Sequence, residues 1–448
     1  MTVHTLRAVA GRLAEGKTGS RNLVEQCLDK IADPDGEGSR AFIAVDAAGA
    51  RAQADAADKL RAAGIVLSPL AGIPVSVKDL FDVRGQVTRA GSKVLDNAPP
   101  AQSDAAAVKR LRQAGLVIMG RTNMTEFAYS GLGLNPHYGT PINPFDRKTG
   151  RIPGGSSCGA AVSVTDGMAL AAVGTDTGGS CRIPAALCGL TGFKPTAARV
   201  PMAGALPLSP TLDSIGPLAP SVACCAAMDA VLSGGGEPVV PKPARQLRIG
   251  VLKNYVMDGV DAVVARRYEA ALSALSAVGV AVSDMQLADL DSLPELNARG
   301  GIVAAEAYAL HRSRLAQRLD LYDPRVSARI MKGADQSTAD YLDLLVARRN
   351  MMARAAGVTD ALDAVVFPTT PVIAPPLAQL EDDANYARLN SNLLRNPTVA
   401  NFLDRCAVSI PIAGGGAPVG LMMMGHHGKD RELFSAGLTV ESIVAAGP

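Results

Sequence analysis

Tryptophan is absent from this chain of 448 residues, and aromatic residues make up only 4%. A stacking platform for large rings is therefore disfavoured. Net charge is also scarce: 44 Lys and Arg against 42 Asp and Glu leave +2. No field exists to gather nucleic acid or an anionic membrane, and neither is an expected partner. Long apolar runs are missing, since no uninterrupted stretch reaches the roughly 18 residues of a membrane span. Met1–Gly16 carries no apolar signal core, so the cytoplasm is the expected compartment. Histidine occurs five times and never as H-E-x-x-H. Seven cysteines (27, 158, 181, 188, 224, 225 and 406) contain no C-x-x-C. No metal and no cofactor are expected, and the thiols read as free and buried in a reducing compartment.

What is present supports a large core: 48% of residues are hydrophobic and 19% charged. Residues 1–64 read as helices, with apolar residues at helical spacing over Thr5–Ala14, Leu23–Ile31 and Ala47–Ala62. Beyond Leu70 short β-branched runs, Ile73–Val77 and Leu116–Met119, alternate with helical stretches such as Asp104–Ala114. This is an α/β texture. A Gly- and Ser-rich centre follows, from Gly131 to about Gly216. A second α/β stretch holds Leu247–Leu252, Ala262–Ala277, Gly301–Leu319, Asp340–Ala356 and Asp363–Pro368. Gly234–Pro243 is the linker candidate, yet neither side looks self-sufficient without the centre. The reading is one domain over 1–448: a helical region 1–64, a core 65–220, and a part 244–448 that completes the sheet.

Two motifs invite chemistry and have plainer explanations. Gly11-Arg-Leu-Ala-Glu-Gly16-Lys17-Thr18 fits the P-loop pattern, but helical residues precede it and fill it. Gly16 is better explained as a helix C-cap. Gly155-Ser156-Ser157-Cys158-Gly159 fits the G-x-S-x-G elbow of α/β-hydrolases, which would make Ser157 the nucleophile. That fold needs a downstream acid and histidine, and only His311, His426 and His427 are available, none in a recognisable strand-end context.

A third constellation is stronger. Gly72-Ile-Pro-Val-Ser-Val-Lys78-Asp79 places one lysine in an apolar strand. Pro153-Gly-Gly-Ser156-Ser157-Cys158-Gly159 and Gly174-Thr-Asp176-Thr177-Gly178-Gly179-Ser180-Cys-Arg182 follow. Two glycines before Ser180 permit unusual dihedrals and close approach of a substrate. Consecutive N–H groups of Thr177, Gly178, Gly179 and Ser180 can converge on one oxygen as an oxyanion hole. Asp176 and Arg182 flank the loop with opposite charge, and a pairing between them would brace it.

Together these segments resemble the amidase signature family. Ser156 and Ser180 stand 24 residues apart (180 minus 156), the spacing of that family's two serine segments. Arg121–Phe127 and Cys188–Pro195 resemble family segments too. The resemblance implies a mixed central sheet covered by helices on both faces. It implies a Ser-cisSer-Lys triad: Ser180 as nucleophile, Ser156 as bridge on a cis peptide, and Lys78 as base, with Ser157 in a supporting place. Lys78 must be neutral to act, and burial can lower a lysine pKa that far; the apolar Ile73, Val75 and Val77 hint at such a site. The implied activity is hydrolysis of the C–N bond of a small non-peptide amide through an acyl-enzyme. Two alternatives share the triad: the A subunit of a glutamine-dependent tRNA amidotransferase, and an allophanate- or carboxybiuret-type hydrolase. Tyr129–Tyr138 looks more like the free-standing enzymes.

Candidate pocket residues are Met124, Tyr129, Leu132, Gly155, Phe367 and the loop Thr369–Pro376, with His137 either reaching substrate or bracing its loop. The small amide is the expected ligand. The helices of residues 1–64 either cover the core or form a homodimer contact.

Overall fold

The alternation of strand and helix signals is realised around one sheet. The computed structural model describes residues 5–446. Its eleven strands are β1 Phe42–Val45, β2 Pro74–Lys78, β3 Val117–Thr122, β4 Ala171–Thr175, β5 Thr191–Lys194, β6 Ile215–Ala219, β7 Arg248–Leu252, β8 Ala281–Met285, β9 Ala364–Pro368, β10 Ala407–Pro411 and β11 Gly420–Met424. Their order is β1-β3-β2-β4-β6-β5-β10-β11-β9-β7-β8. Pairing is parallel for β3/β2, β2/β4, β9/β7 and β7/β8. The middle of the sheet, from β4 to β9, is antiparallel. The sheet is mixed, as the family resemblance implied, and it runs unbroken across both halves of the chain.

Period-two alternation sorts side chains onto two covered faces. Ile73, Val75, Val77, Val173, Val366, Val408 and Met423 enter the main core. Met422, Met424, Val365 and Phe367 pack in a second core on the other side. Ala172 joins Ala160, Ala161 and Val164 of the helix Cys158–Thr165. Both faces are thus apolar, which is why the strands read as continuous hydrophobic runs. The same alternation decides where Lys78 goes. Val75 and Val77 point into the main core, so Ser76 and Lys78 point the other way. Ser76 Oγ meets Ser163 Oγ of the helix Cys158–Thr165 at 2.9 Å. The apolar neighbours in sequence therefore do not surround Lys78; the helix and strands on the opposite face bury it.

Several readings shift. The helical first 64 residues contain an edge strand, β1, antiparallel to β3 with an irregular register. Four residues are too few for their alternation to stand out from helical spacing on either side. The helices there cover the core, with Leu6, Val9, Leu13 and Leu23 buried in it. Gly16 follows the helix Leu6–Ala14 at φ +68°, and the Lys17 N–H returns to the Arg12 carbonyl, which is a helix C-terminus and not a phosphate loop. Strand β8 and the helices Pro324–Met331 and Asp383–Phe402 were not anticipated. Among the described residues no helix is long and apolar enough to cross a membrane.

Gly159 shows why the elbow-like motif needs its last glycine. A side chain there would overlap the Ala41 carbonyl and the Asn123 backbone, onto which the helix Cys158–Thr165 packs directly. Gly159→Ala should destabilise the fold by about 1–3 kcal/mol through overpacking. A lowered urea midpoint at unchanged m-value is the expected result.

Candidate active site

Lys78 is the last residue of β2 and is wholly buried. Its Nζ donates to Ser156 Oγ at 2.8 Å and to Thr175 Oγ1 at 2.9 Å. Among the described residues no carboxylate reaches Nζ within ion-pair distance, so no direct ion pair offsets its desolvation. Burial draws its pKa down from the ordinary lysine value to about 8, against the opposing influence of Cys181, Cys158, Asp176 and Asp213.

Ser156 follows a cis Gly155–Ser156 peptide. Its carbonyl accepts the Thr125 N–H at 3.1 Å, and the Gly155 N–H donates to Gly131 at 2.8 Å. Ser157 ties the two serine segments together. Its N–H donates to the Ser180 carbonyl at 3.3 Å, and its Oγ to the Thr175 carbonyl at 3.4 Å. Ser157 thus has structural partners. The histidines are engaged elsewhere: His311 with Tyr322, His426 with Leu362 and His427 with Asp404. The Ser157–His reading of the elbow motif falls on these contacts. Burial raises the Cys158 thiol to about 12, leaving it inert packing.

The loop from Asp176 to Arg182 is built around one buried ion pair. Arg182 Nη2 lies 2.8 Å from Asp176 Oδ1, and both side chains are wholly buried. Burial works to raise the Asp176 pKa. The Arg182 charge and the hydrogen bonds from Arg182 and Asn401 outweigh it, and Asp176 is held well below the carboxylate range. Asp176 also accepts the N–H groups of Gly179 (2.9 Å), Cys181 (3.1 Å) and Arg182 (3.4 Å). Arg182 reaches on to the Pro397 carbonyl (2.9 Å) and Asn401 Oδ1 (2.7 Å). The anticipated pairing exists, and it also welds the helix Asp383–Phe402 to the loop.

One correction concerns the proposed oxyanion donors. The Gly179 N–H is already spent on Asp176, so it belongs to the brace. The N–H groups of Thr177, Gly178 and Ser180 have no acceptor among the described residues. Gly179 keeps its importance for another reason: at φ +124°, a side chain there would run into Pro397. Ser180 is 3% exposed.

The pocket candidates separate. Met124 and Leu132 are plain packing, in the main core and beside Ile183 and Leu187 respectively. Phe367 is core. Thr369, at the end of β9, shares a 2.7 Å hydrogen bond with Ser409. His137 Nε2 is bound to Glu126 Oε1 at 2.8 Å, and Glu126 also holds Ser92 and the Asp323 N–H, so His137 braces its loop. Tyr129 carries the Arg329 guanidinium over its ring at 4.5 Å. Missed from sequence were Thr175, Asn401, Arg329 and Asp213. Thr175 lies within the Gly174–Arg182 segment, where nothing in the sequence marks its hydroxyl as a partner of Lys78.

A family model described as amidase matches residues 22–434. The chain belongs to the amidase family. It is a hydrolase of carbon–nitrogen bonds in amides. It is 36% identical to 2-amino-5-chloromuconic acid deaminase of Comamonas testosteroni, over 98% of this chain and 96% of that protein. It is 35% identical to 1-carboxybiuret hydrolase subunit AtzE of Pseudomonas sp. (strain ADP), covering 94% of each. A crystal structure described as an amidase superposes with a TM-score of 0.89 at 32% identity, covering 98% of this chain and 100% of the other.

If the Asp176–Arg182 pair organises the loop of this amidase, Arg182→Leu should be severely destabilising, by about 3–5 kcal/mol, because Asp176 is left buried without its cation. The urea midpoint should fall accordingly. A change below 1 kcal/mol would mean the loop is held by other contacts.

Proposed function

We propose that this amidase hydrolyses a small, carboxylate-bearing amide, with Ser180 as nucleophile, Ser156 as proton bridge and Lys78 as base. The observation that carries the triad is the buried Lys78 Nζ, 2.8 Å from Ser156 Oγ. With a pKa of about 8, roughly a tenth of Lys78 is neutral at pH 7. Neutral Lys78 takes the Ser156 proton as Ser156 takes the Ser180 proton, and Ser180 Oγ attacks the amide carbon. The developing oxyanion is met by the N–H groups of Thr177, Gly178 and Ser180. The same relay returns the proton to the leaving nitrogen, and water then releases the acyl group from Ser180.

The carboxylate follows from Arg329. Its Nη1 is buried with no acceptor among the described residues, while its plane lies on Tyr129. Tyr129 stands two residues before Gly131, which holds Gly155 beside the cis peptide. Ser130 and Gly131 are both fixed by Asn390 Oδ1, at 2.9 Å each. An unpaired guanidinium nitrogen on that wall suits a planar anion. The names of two relatives point the same way, to a chloromuconic acid and a carboxybiuret. The word subunit in the second name makes a partner the competing arrangement, and we favour a free-standing enzyme. Seven unbridged, buried thiols fit a cytoplasmic setting.

The test is ammonia release by the purified protein alone from succinamate, butyramide and glutamine. Release from succinamate should vanish in Ser180→Ala and fall by about 10²–10⁴ in Lys78→Ala and Ser156→Ala. Arg329→Gln should raise KM for succinamate at least ten-fold and leave butyramide unchanged. Because Lys78 acts when neutral, kcat/KM should decline as pH falls through about 8. A flat profile down to pH 5 would remove Lys78 as base. Glutamine as the sole substrate, or silence on all three, would favour a partner-dependent subunit.

A further inference from the structure

We propose that Asp213 is a positioning residue of this active site, one carboxylate that both fixes Thr177 beside the nucleophile and sets the charge felt by Lys78. The inference rests on the reading of Lys78 as base and of the Thr177 N–H as an oxyanion donor.

The geometry begins at the end of β4. Thr175 pairs with Ile215 of β6, and the ladder continues past the strand end: the Asp176 N–H donates to Ser214 at 2.8 Å, and the Ser214 N–H to Asp176 at 3.2 Å. Thr175 and Thr177 flank Asp176, whose N–H and carbonyl are both tied to Ser214. The Thr175 hydroxyl receives Lys78 Nζ, and the Thr177 hydroxyl donates to Asp213 Oδ1 at 2.5 Å. Asp213 Oδ2 accepts the N–H groups of Leu208 (3.0 Å) and Ser209 (3.1 Å). A buttress holds that turn from behind. Glu306 accepts from the Ser209 hydroxyl and from the hydroxyl and N–H of Thr211, and Tyr341 donates to the same carboxylate at 2.7 Å.

The charges around Lys78 then single out Asp213. Two carboxylates and two thiols influence it: Asp176, Asp213, Cys158 and Cys181. Burial pushes both thiols up, so they are neutral. Asp176 is cancelled by Arg182, with buried Lys194 also bearing on it. Asp213 is 4% exposed and, among the described residues, has no cation within ion-pair distance; its three hydrogen-bond donors are all neutral. Burial, opposed by those bonds and by the charge of Lys78, raises its pKa to about 6. At pH 7 it is an anion whose charge faces that of Lys78 without a direct ion pair, and it raises the proton affinity that burial lowers at Lys78. Removing the anion therefore makes Lys78 easier to deprotonate.

The experiment needs no substrate. The rate at which phenylmethylsulfonyl fluoride modifies Ser180 is followed against pH by intact mass. Asp213→Asn keeps the contacts, since the amide oxygen can accept from Leu208 and Ser209 while its NH₂ donates to Thr177. Its acid limb should move to lower pH, by about half a unit or more, because removing an opposite charge disfavours the protonated lysine. Thr177→Val retains the charge and loses the link; hydrolysis of succinamate should drop at least ten-fold in kcat with the acid limb unmoved. Should Asp213→Asn not fold, Asp213→Ser removes the same charge without placing an amide in the turn, and the same shift is expected. An unmoved limb in a folded neutral variant overturns the inference while the triad stands. Undiminished modification in Lys78→Ala instead overturns the triad, a separate and recognisable result.

Discussion

Burying a lysine without an acidic partner is the constraint around which the centre of this amidase is arranged. An isolated ammonium inside a protein is costly enough that the group changes its protonation before the fold gives way. Here Nζ rests between two hydroxyls, Ser156 and Thr175, which satisfy it as donor without stabilising its charge as a carboxylate would. A close aspartate would restore an ordinary lysine pKa and keep the ammonium protonated at neutral pH. Burial must therefore be complete, and the strand alone does not provide it. Val75 and Val77 turn into the main core, and Lys78 is covered from the other face by the helix Cys158–Thr165.

That requirement explains the concentration of small residues along the middle of the chain. The helix covering Lys78 begins at the serine pair, so it must lie close enough to the sheet for Ser156 to touch Nζ. Gly159 lets it rest on the backbone at Ala41 and Asn123, and a side chain at Gly174 would strike Ser157. On the other side, Gly179 lets the loop before Ser180 pass under Pro397. The buried Asp176–Arg182 pair works with these contacts. By taking the N–H groups of Gly179, Cys181 and Arg182, Asp176 leaves those of Thr177, Gly178 and Ser180 aimed elsewhere.

Legibility in the sequence followed the range of the interactions. Lys78, Ser156 and Ser180 sit in short local patterns whose residue types are unusual together, and these patterns could be read without coordinates. So could the Asp176–Arg182 pair, six residues apart in sequence. The helix Asp383–Phe402 was invisible because Pro397 interrupts its pattern, yet it supplies Asn401 and the Pro397 carbonyl to Arg182 from more than 200 residues away. Asp213 was missed for a like reason: nothing in Leu212-Asp213-Ser214 marks the aspartate, and its partner Thr177 lies 36 residues upstream. The four N–H groups beside Ser180 looked equivalent in sequence, because only the folded loop shows that one is already bonded to Asp176.

The charges at the centre form a consistent set once each is paired. Asp176 and Arg182 neutralise one another, with Lys194 also bearing on Asp176, and the cysteine thiols are kept protonated by burial; Lys78 and Asp213 are the two groups that the proposed cycle would use. Asp213 is held by the Thr177 hydroxyl, two residues beyond the threonine that receives Lys78 Nζ. In the proposed relay Lys78 takes up a proton from the serines, and the new ammonium would then have the Asp213 anion in the same low-dielectric interior as the oxyanion forms on the substrate. A histidine base with an aspartate behind it achieves the same compensation in other hydrolases. In the proposed relay a desolvated lysine and an aspartate one threonine removed take the place of that pair, while the described histidines, His137, His311, His426 and His427, are bound to other partners.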